Sequence, residues 1–503
     1  MNRRSLLIGA GASALAACAS TPETSAVSLP FAADLDERIL AAMDRVGVVP
    51  GLAIAVYSRE GVYAKGFGFA DLEARTPVDA NTAFYIASST KPLTALALAS
   101  LQTRGAFDLN ATLASYAPDA HFPDAVRLSE VNFRHLLSHQ SGISNHGAGY
   151  RLAFSGEHDP ATLWRLLSLS TANTESPLGQ FDYTNEGYNI ATIMTDRKLG
   201  IRWQDLLQRE IFDPAGMTRA SAYMSRAKAR GVVAKPYLAS MPEGPTPVYL
   251  EKTDQTMQSA GGVVMSANDG ARWIELMVED GRVGGRQVVP AAAVQMVREQ
   301  QVSVTADADV YQRNGYALGW YLGPHRDEAL LHHFGGFAGA RAHVSFIPAR
   351  HVGVTAFVND STGAAPIIDA IANYVYDRTA NRTDADARFE EAVDGVVALV
   401  ARSRSRFAAD RAARANRAWT LTRPHADYAG RYLSDTLGTI DIGVSGQEME
   451  VRAGVMHAIA TPFTQPDSIR VELSPGQGWA IAFEMGANGP IGLSIMGERF
   501  TRA

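Results

Sequence analysis

The sequence predicts an α/β protein: an antiparallel sheet flanked by helices, an all-helical insert, and a small antiparallel β domain at the C-terminal end. Three observations carry that expectation. Strand-like segments stand at both ends of the stretch 34–380 with helices and long loops between them, so one sheet must join the two ends. Residues 386–418 form an amphipathic helix crowded with arginine. After Pro424 the chain changes to short alternating strands separated by turn residues, the pattern of a small barrel or sandwich.

The elements follow in order. Leu35, Ile39, Met43 and Val46 share a helical face, and Gly47 with Pro50-Gly51 ends that helix. Leu52 to Tyr57 reads as a buried strand, and a turn at Arg59-Glu60-Gly61 returns the chain into Val62 to Phe69 as its hairpin partner. An apolar helix runs from Leu93 to Leu101. Strands are expected at Gly319 to Leu322, Ala342 to Ile347 and Val352 to Val358, then a helix from Ala365 to Tyr376. Phe389, Val393, Val396, Val397, Val400 and Phe407 line the face of the arginine-rich helix. Five C-terminal strands are expected, at Thr439 to Val444, Met449 to Val451, Ser468 to Leu473, Trp479 to Met485 and Ile491 to Met496.

The N-terminus reads as a targeting segment. Arg3-Arg4, a short apolar stretch and Leu15-Ala16-Ala17-Cys18 describe an export signal, with paired arginines of twin-arginine type and a lipoprotein-like cleavage box. Cys18 is the only cysteine, so no internal disulfide forms, and it is the expected lipidation site. The expected organisation is a signal at 1–18, a linker at 19–33, a main α/β domain at 34–380, a helical linker at 381–420 and a β domain at 421–503. The protein would then be periplasmic or anchored to an envelope membrane, touching that membrane only through its lipid. A net charge of −6 argues against nucleic acid as a partner, and the arginines of 386–418 read as a solvated face.

Three segments carry chemistry. Ser88-Ser89-Thr90-Lys91 sets a hydroxyl and an amine three residues apart at the start of a buried helix, where both share one face. Burial lowers a lysine pKa, so the amine can take the hydroxyl proton. Read alone, the tetrapeptide is equally a helix start capped by Ser88 or Ser89 with Lys91 in solvent. Tyr183-Thr184-Asn185 lies on a loop bounded by Gly179 and Gly187, with its two polar side chains on one side if the segment is extended. A phenol beside an ammonium loses its proton more easily, and Asn185 can hold a substrate carbonyl. Alternatively these are a turn tyrosine and a capping asparagine. The third segment is His333-Phe334-Gly335-Gly336 on a strand edge, where the Gly336 N–H can join the Ser88 N–H as an oxyanion hole and His333 lines the cleft. His332-His333 lacks further ligands at metal spacing, so neither metal nor cofactor is expected. His135 and His139 read as structural, and Ser266 with Asp269 as a capping box.

Together these segments resemble the serine hydrolases of the β-lactamase/DD-peptidase superfamily, in its class C β-lactamase-like branch of esterases, D-aminopeptidases and penicillin-binding protein relatives. The resemblance covers about residues 35–380. It rests also on Phe84 to Pro92, on Arg134-His135-Leu136-Leu137-Ser138-His139-Gln140-Ser141-Gly142-Ile143, and on Ser259-Ala260-Gly261-Gly262 followed by Ser266-Ala267-Asn268-Asp269. It implies a β-lactamase/transpeptidase-like sandwich, with Ser88 as nucleophile, Lys91 as its activating partner and Tyr183 as proton shuttle. Asn185, His333, Gly335 and Gly336 would bind substrate. The chain departs from true β-lactamases at His333, where they carry lysine. A neutral imidazole holds a carboxylate less well than an ammonium does, which favours small ester, D-amino acyl amide or peptide substrates over β-lactams. The segment Tyr428-Ala429-Gly430-Arg431-Tyr432 resembles the opening of the β domains appended to some of these hydrolases.

Overall fold

A computed structural model describes residues 28–306 and 310–503. The expected signal, most of the linker and Cys18 lie outside the described residues. Ser28 bridges Val62, and Leu29 is buried.

Helix α1 (Ala32–Val46) buries Leu35, Ile39, Ala42 and Val46 and stops at Gly47, whose left-handed backbone returns its N–H to Met43 O. Strands β1 (Gly51–Ser58) and β2 (Gly61–Asp71) form the hairpin. With β3 (Thr76–Pro77), β4 (Val302–Ala306), β5 (Arg313–Tyr316), β6 (Tyr321–His325), β7 (Glu328–Phe337), β8 (Ala340–Ile347) and β9 (Val352–Val358) they make one nine-stranded sheet. Its order is β4-β5-β6-β7-β8-β9-β1-β2-β3, with every named pairing antiparallel. The two ends of the catalytic stretch thus meet where β1 pairs with β9.

Both faces of the sheet are covered. Leu52, Ile54 and Val56 point into a core shared with α1, α7 (Ile367–Thr379) and α8 (Ala385–Arg414). Ala53 and Ala55, the alternate residues of the same strand, point into the other core. There they meet α2 (Lys91–Thr103), α6 (Ala267–Val278) and the helical insert, which contains α3 (Phe133–Leu137), α4 (His146–Tyr150) and α5 (Glu186–Leu199). Small residues on this side let α6 approach the sheet closely: a Cβ on Gly270 would lie 2.1 Å from Thr355 Oγ1 of β9.

The C-terminal sheet contains β10 (Gly430–Ser434), β11 (Gly438–Ser445), β12 (Glu448–Ala453), β13 (Met456–Ile459), β14 (Thr461–Pro462), β15 (Ser468–Ser474), β16 (Gln477–Gly486), β17 (Gly489–Ile495) and β18 (Glu498–Arg502). It runs in the order β13-β12-β11-β10-β18-β17-β16-β15-β14 and curls until β13 lies against β15. Sequence periodicity had given five of these strands. β10, β13 and β18 are short and half exposed, so their apolar alternation is weak. The capping box at Ser266 and Asp269 is present in both directions, and it starts α6.

Candidate active site

Ser88 sits in a 3₁₀ turn, Ala87–Thr90, that runs directly into α2. The turn is fixed from both sides. Ile86 N–H donates to Val263 O (3.1 Å), Thr90 Oγ1 accepts Val263 N–H (3.0 Å), and Thr94 Oγ1 donates to Ser259 O (2.9 Å). Ala87 takes a left-handed backbone with φ of 44°. For an alanine that strain costs on the order of 1–2 kcal/mol and marks a position the surroundings over-determine. Nothing in an alanine announces such a conformation in the sequence.

Lys91 is fully buried, against the reading that sends it to solvent, and neither Ser88 nor Ser89 caps the helix. Its Nζ lies 3.1 Å from Ser88 Oγ, 2.8 Å from Asn185 Oδ1 and 2.9 Å from Ala260 O. Burial pulls its pKa down to about 7, partly opposed by the Glu186 carboxylate. A neutral amine has two hydrogens and one lone pair. Two carbonyl acceptors take the hydrogens, which leaves the lone pair facing the Ser88 hydroxyl.

Tyr183 and Asn185 come from the loop that feeds α5. Asn185 holds the N-cap position of that helix but makes no capping bond; its side-chain oxygen is committed to Lys91. Lys91 Nζ stands 4.8 Å from the Tyr183 ring centre, and the Ser88 side chain lies near enough to the phenol to favour its ionised form. The expectation of an easily ionised phenol is corrected here: burial pushes the Tyr183 pKa up, outweighing Ser88 and Arg313, which pull it down. A lysine near neutrality supplies no fixed charge to stabilise a phenolate.

Gly335 on β7 passes so close to the turn that a Cβ there would lie 1.9 Å from Ile86 O and 3.1 Å from Ser88 N. Only glycine permits this approach. Gly336 follows on an exposed edge, with open space where its Cβ would be. His333 is buried and its Nδ1 lies 2.8 Å from Phe334 O, which puts the ring hydrogen there and leaves Nε2 as a bare acceptor. Burial and the neighbouring Lys91 hold its pKa well below the ordinary histidine value, so the ring is neutral. Its centre is 6.0 Å from that of Tyr183. Six of the seven cleft residues named from the sequence therefore gather around one turn, and Gly336 stands at the rim.

Sequence reading missed several neighbours. His139 and Tyr321 flank the Tyr183 ring at centre distances of 4.5 Å and 6.0 Å, and Tyr316 packs on His139 at 4.8 Å. A cavity beside Asn185 also takes in Glu186, Tyr150, Leu437, Met496 and Glu498, the last three from the C-terminal sheet. Arg151 holds that sheet in place, donating to Thr436 O (2.8 Å) and Asp435 O (3.1 Å). The histidine lay in a quoted motif and could have been suspected; nothing local marks the C-terminal residues.

A nucleophile-amine-phenol cluster at the junction of an antiparallel sheet and a helical insert defines a serine hydrolase fold. The family described as Beta-lactamase matches residues 37–376, and the chain belongs to that family. Among curated relatives, the unguisins hydrolase ungD of Aspergillus violaceofuscus (strain CBS 115571) is 24% identical over 462 residues, 86% of this chain and 79% of that protein. Among solved structures, the octameric penicillin-binding protein homologue from Pyrococcus abyssi superposes with a TM-score of 0.58 at 22% identity, over 93% of this chain and 99% of that one. D-amino acid amidase from Ochrobactrum anthropi SV3 gives a TM-score of 0.56 at 19% identity, over 72% of this chain and 99% of that one. These structural likenesses concern the fold.

Proposed function

We propose that the protein is an exported serine hydrolase that works through an acyl-enzyme on a small ester, D-amino acyl amide or peptide. The observation that carries this reading is the buried Lys91 amine, with both its hydrogens accounted for and its lone pair on Ser88. In the proposed cycle Lys91 takes the Ser88 proton as Oγ attacks the substrate carbonyl. The developing oxyanion lies between the Ser88 and Gly336 N–H groups. Tyr183 gives its proton to the leaving group and is reprotonated from Lys91. Water then enters by the same route in reverse and releases the acid. A Tyr183 that keeps its proton and a Lys91 that readily loses its own favour the lysine as acylation base.

The cavity beside Asn185 carries two carboxylates, Glu186 and Glu498, which favours a substrate with a cationic amine near the scissile carbonyl, as in a D-amino acyl amide. Export rests on Arg3-Arg4 and Cys18; no helix among the described residues is long and apolar enough to cross a membrane. Protein freed of residues 1–18 should hydrolyse a nitrophenyl acetate and D-amino acid amides, and Glu498→Gln should cost the amides more than the ester. A long-lived acyl-enzyme without turnover would replace the hydrolase by a penicillin-binding sensor. Membrane fractionation of Cys18→Ser tests the anchor: release into the soluble fraction supports it, and unchanged partition removes it.

A further inference from the structure

His139 does more than fill space. It opens the turn His139–Gly142 with a left-handed backbone, φ 61°, and its side chain is buried. Its carbonyl accepts the Asp182 N–H (2.8 Å) and its Nδ1 accepts the Thr184 N–H (3.3 Å). One residue thus holds both amides that flank Tyr183. The rest of the turn extends the grip: Gln140 O accepts the Gly179 N–H (2.8 Å), and Gly142 lets Leu178 N approach to where a Cβ would be 2.5 Å away. The imidazole also lies against the Tyr183 ring, centres 4.5 Å apart.

The hydrogen-bond directions fix the tautomer. With Nδ1 accepting, the hydrogen sits on Nε2 and goes to Tyr316 Oη at 3.1 Å. Tyr188 lies against the same imidazole, centres 5.5 Å apart, and gives its hydrogen to Leu137 O (2.7 Å). Both ring nitrogens are occupied, so the imidazole is not free to move a substrate proton.

We propose that His139 is the positioning residue for Tyr183, gripping the loop through its carbonyl and Nδ1 while its ring orients the phenol, so that the hydroxyl stays turned toward Ser88. This rests on the reading of Tyr183 as proton shuttle. The asparagine variant keeps an acceptor near the Nδ1 position and tolerates a left-handed backbone; the glutamine variant reaches toward Tyr316 and leaves the Thr184 amide unmet.

The test is a double-mutant cycle on the full-length protein, read by nitrophenyl ester turnover, fluorophosphonate labelling of Ser88 and thermal melting. His139→Gln should lower kcat about a hundredfold, the scale of one acid–base group, with KM within about threefold and the melting temperature nearly kept. His139→Asn should recover at least tenfold of that loss. In a Tyr183→Phe background, His139→Gln should add almost nothing, because residues acting as a unit are non-additive. An equal further loss in that background, or unchanged kcat in His139→Gln, overturns the proposal. Should the glutamine variant fail to fold, His139→Gly, which tolerates the left-handed backbone and also leaves the Thr184 amide unmet, enters the same cycle under the same criteria. Full activity in Tyr183→Phe instead refutes the shuttle reading and the proposal with it, and is recognised by that variant alone.

Discussion

The main sheet carries two serine networks, one on each face, and only one of them is open. On the face toward the helical insert, Ser88 meets a buried amine and a phenol at the edge of a cleft. On the face toward α7, His343 Nδ1 lies 2.8 Å from Asp369 Oδ1, and its Nε2 is 2.6 Å from Ser345 Oγ. By distances alone this second group is the serine–histidine–aspartate arrangement of a hydrolase. Yet Ser345 and His343 have no exposed surface, and the serine oxygen is also bonded to Tyr376 Oη at 2.6 Å. Asp369 is further tied to Arg341. Nucleophile, base and orienter make a catalyst only where a carbonyl can arrive and a proton is left to move. The Ser345 network is closed on itself; it is a polar clamp between β8 and α7.

Substituting the two serines breaks or confirms that contrast most sharply. Ser88→Ala should abolish ester hydrolysis and fluorophosphonate labelling, a loss of at least about a thousandfold, with the melting temperature nearly unchanged. Ser345→Ala should keep both activities. It strands His343 Nε2 and Tyr376 Oη in the core, an unmet pair worth about 1–3 kcal/mol, and so should lower the melting temperature by several degrees. The reverse pattern would move the active site to the other face. Tyr183→Phe comes next: kcat should fall about a hundredfold or more, while labelling by a reagent with a good leaving group suffers less. Equal losses for activated and unactivated substrates would take the leaving-group proton away from Tyr183.

The contrast also explains what could be read in advance. Ser88, Lys91, Tyr183 and Asn185 were legible because they come in short spacings attached to recognisable helix and loop signals. β1, β2, β8 and β9 were legible through apolar runs bounded by glycine, proline and charged turns. Three things were not. The ionisation state of Tyr183 depends on how far tertiary packing buries the phenol, a property no local spacing announces. The cleft wall at Leu437 and Glu498 is contributed from 250 residues or more beyond Asn185 in the chain (437 − 185 = 252). β7, which carries His333, mixes histidines with glycines and leucines and shows no alternation. The buried Ser345 clamp is as silent in the sequence as the cleft wall, which is why motif spacing rather than residue type separated the two serines.

A smaller effect separates two lysines instead of two serines. Lys252, like Lys91, is buried and pulled down to about 7 by desolvation, with Asp254 opposing. Its amine donates to Thr253 O (2.7 Å) and Ala222 O (3.2 Å), and no serine hydroxyl is bonded to it. If the base is Lys91, kcat/KM should rise with pH through about 7 as that amine sheds its proton, then stay level while Tyr183 remains protonated. Lys252→Met should leave that rise where it is. Stability should also rise with pH, and there Lys252 counts. In each case the unfolded lysine holds its proton up to about 10.5 while the folded one has already lost it, so burial of the amine becomes less costly as pH climbs from 7 toward 10. Lys252→Met should therefore flatten the gain in melting temperature between pH 7 and 9 without moving the activity limb. A shift of the limb in Lys252→Met would show that the titration governing catalysis does not belong to Lys91 alone, and would cost the lone-pair argument its main support.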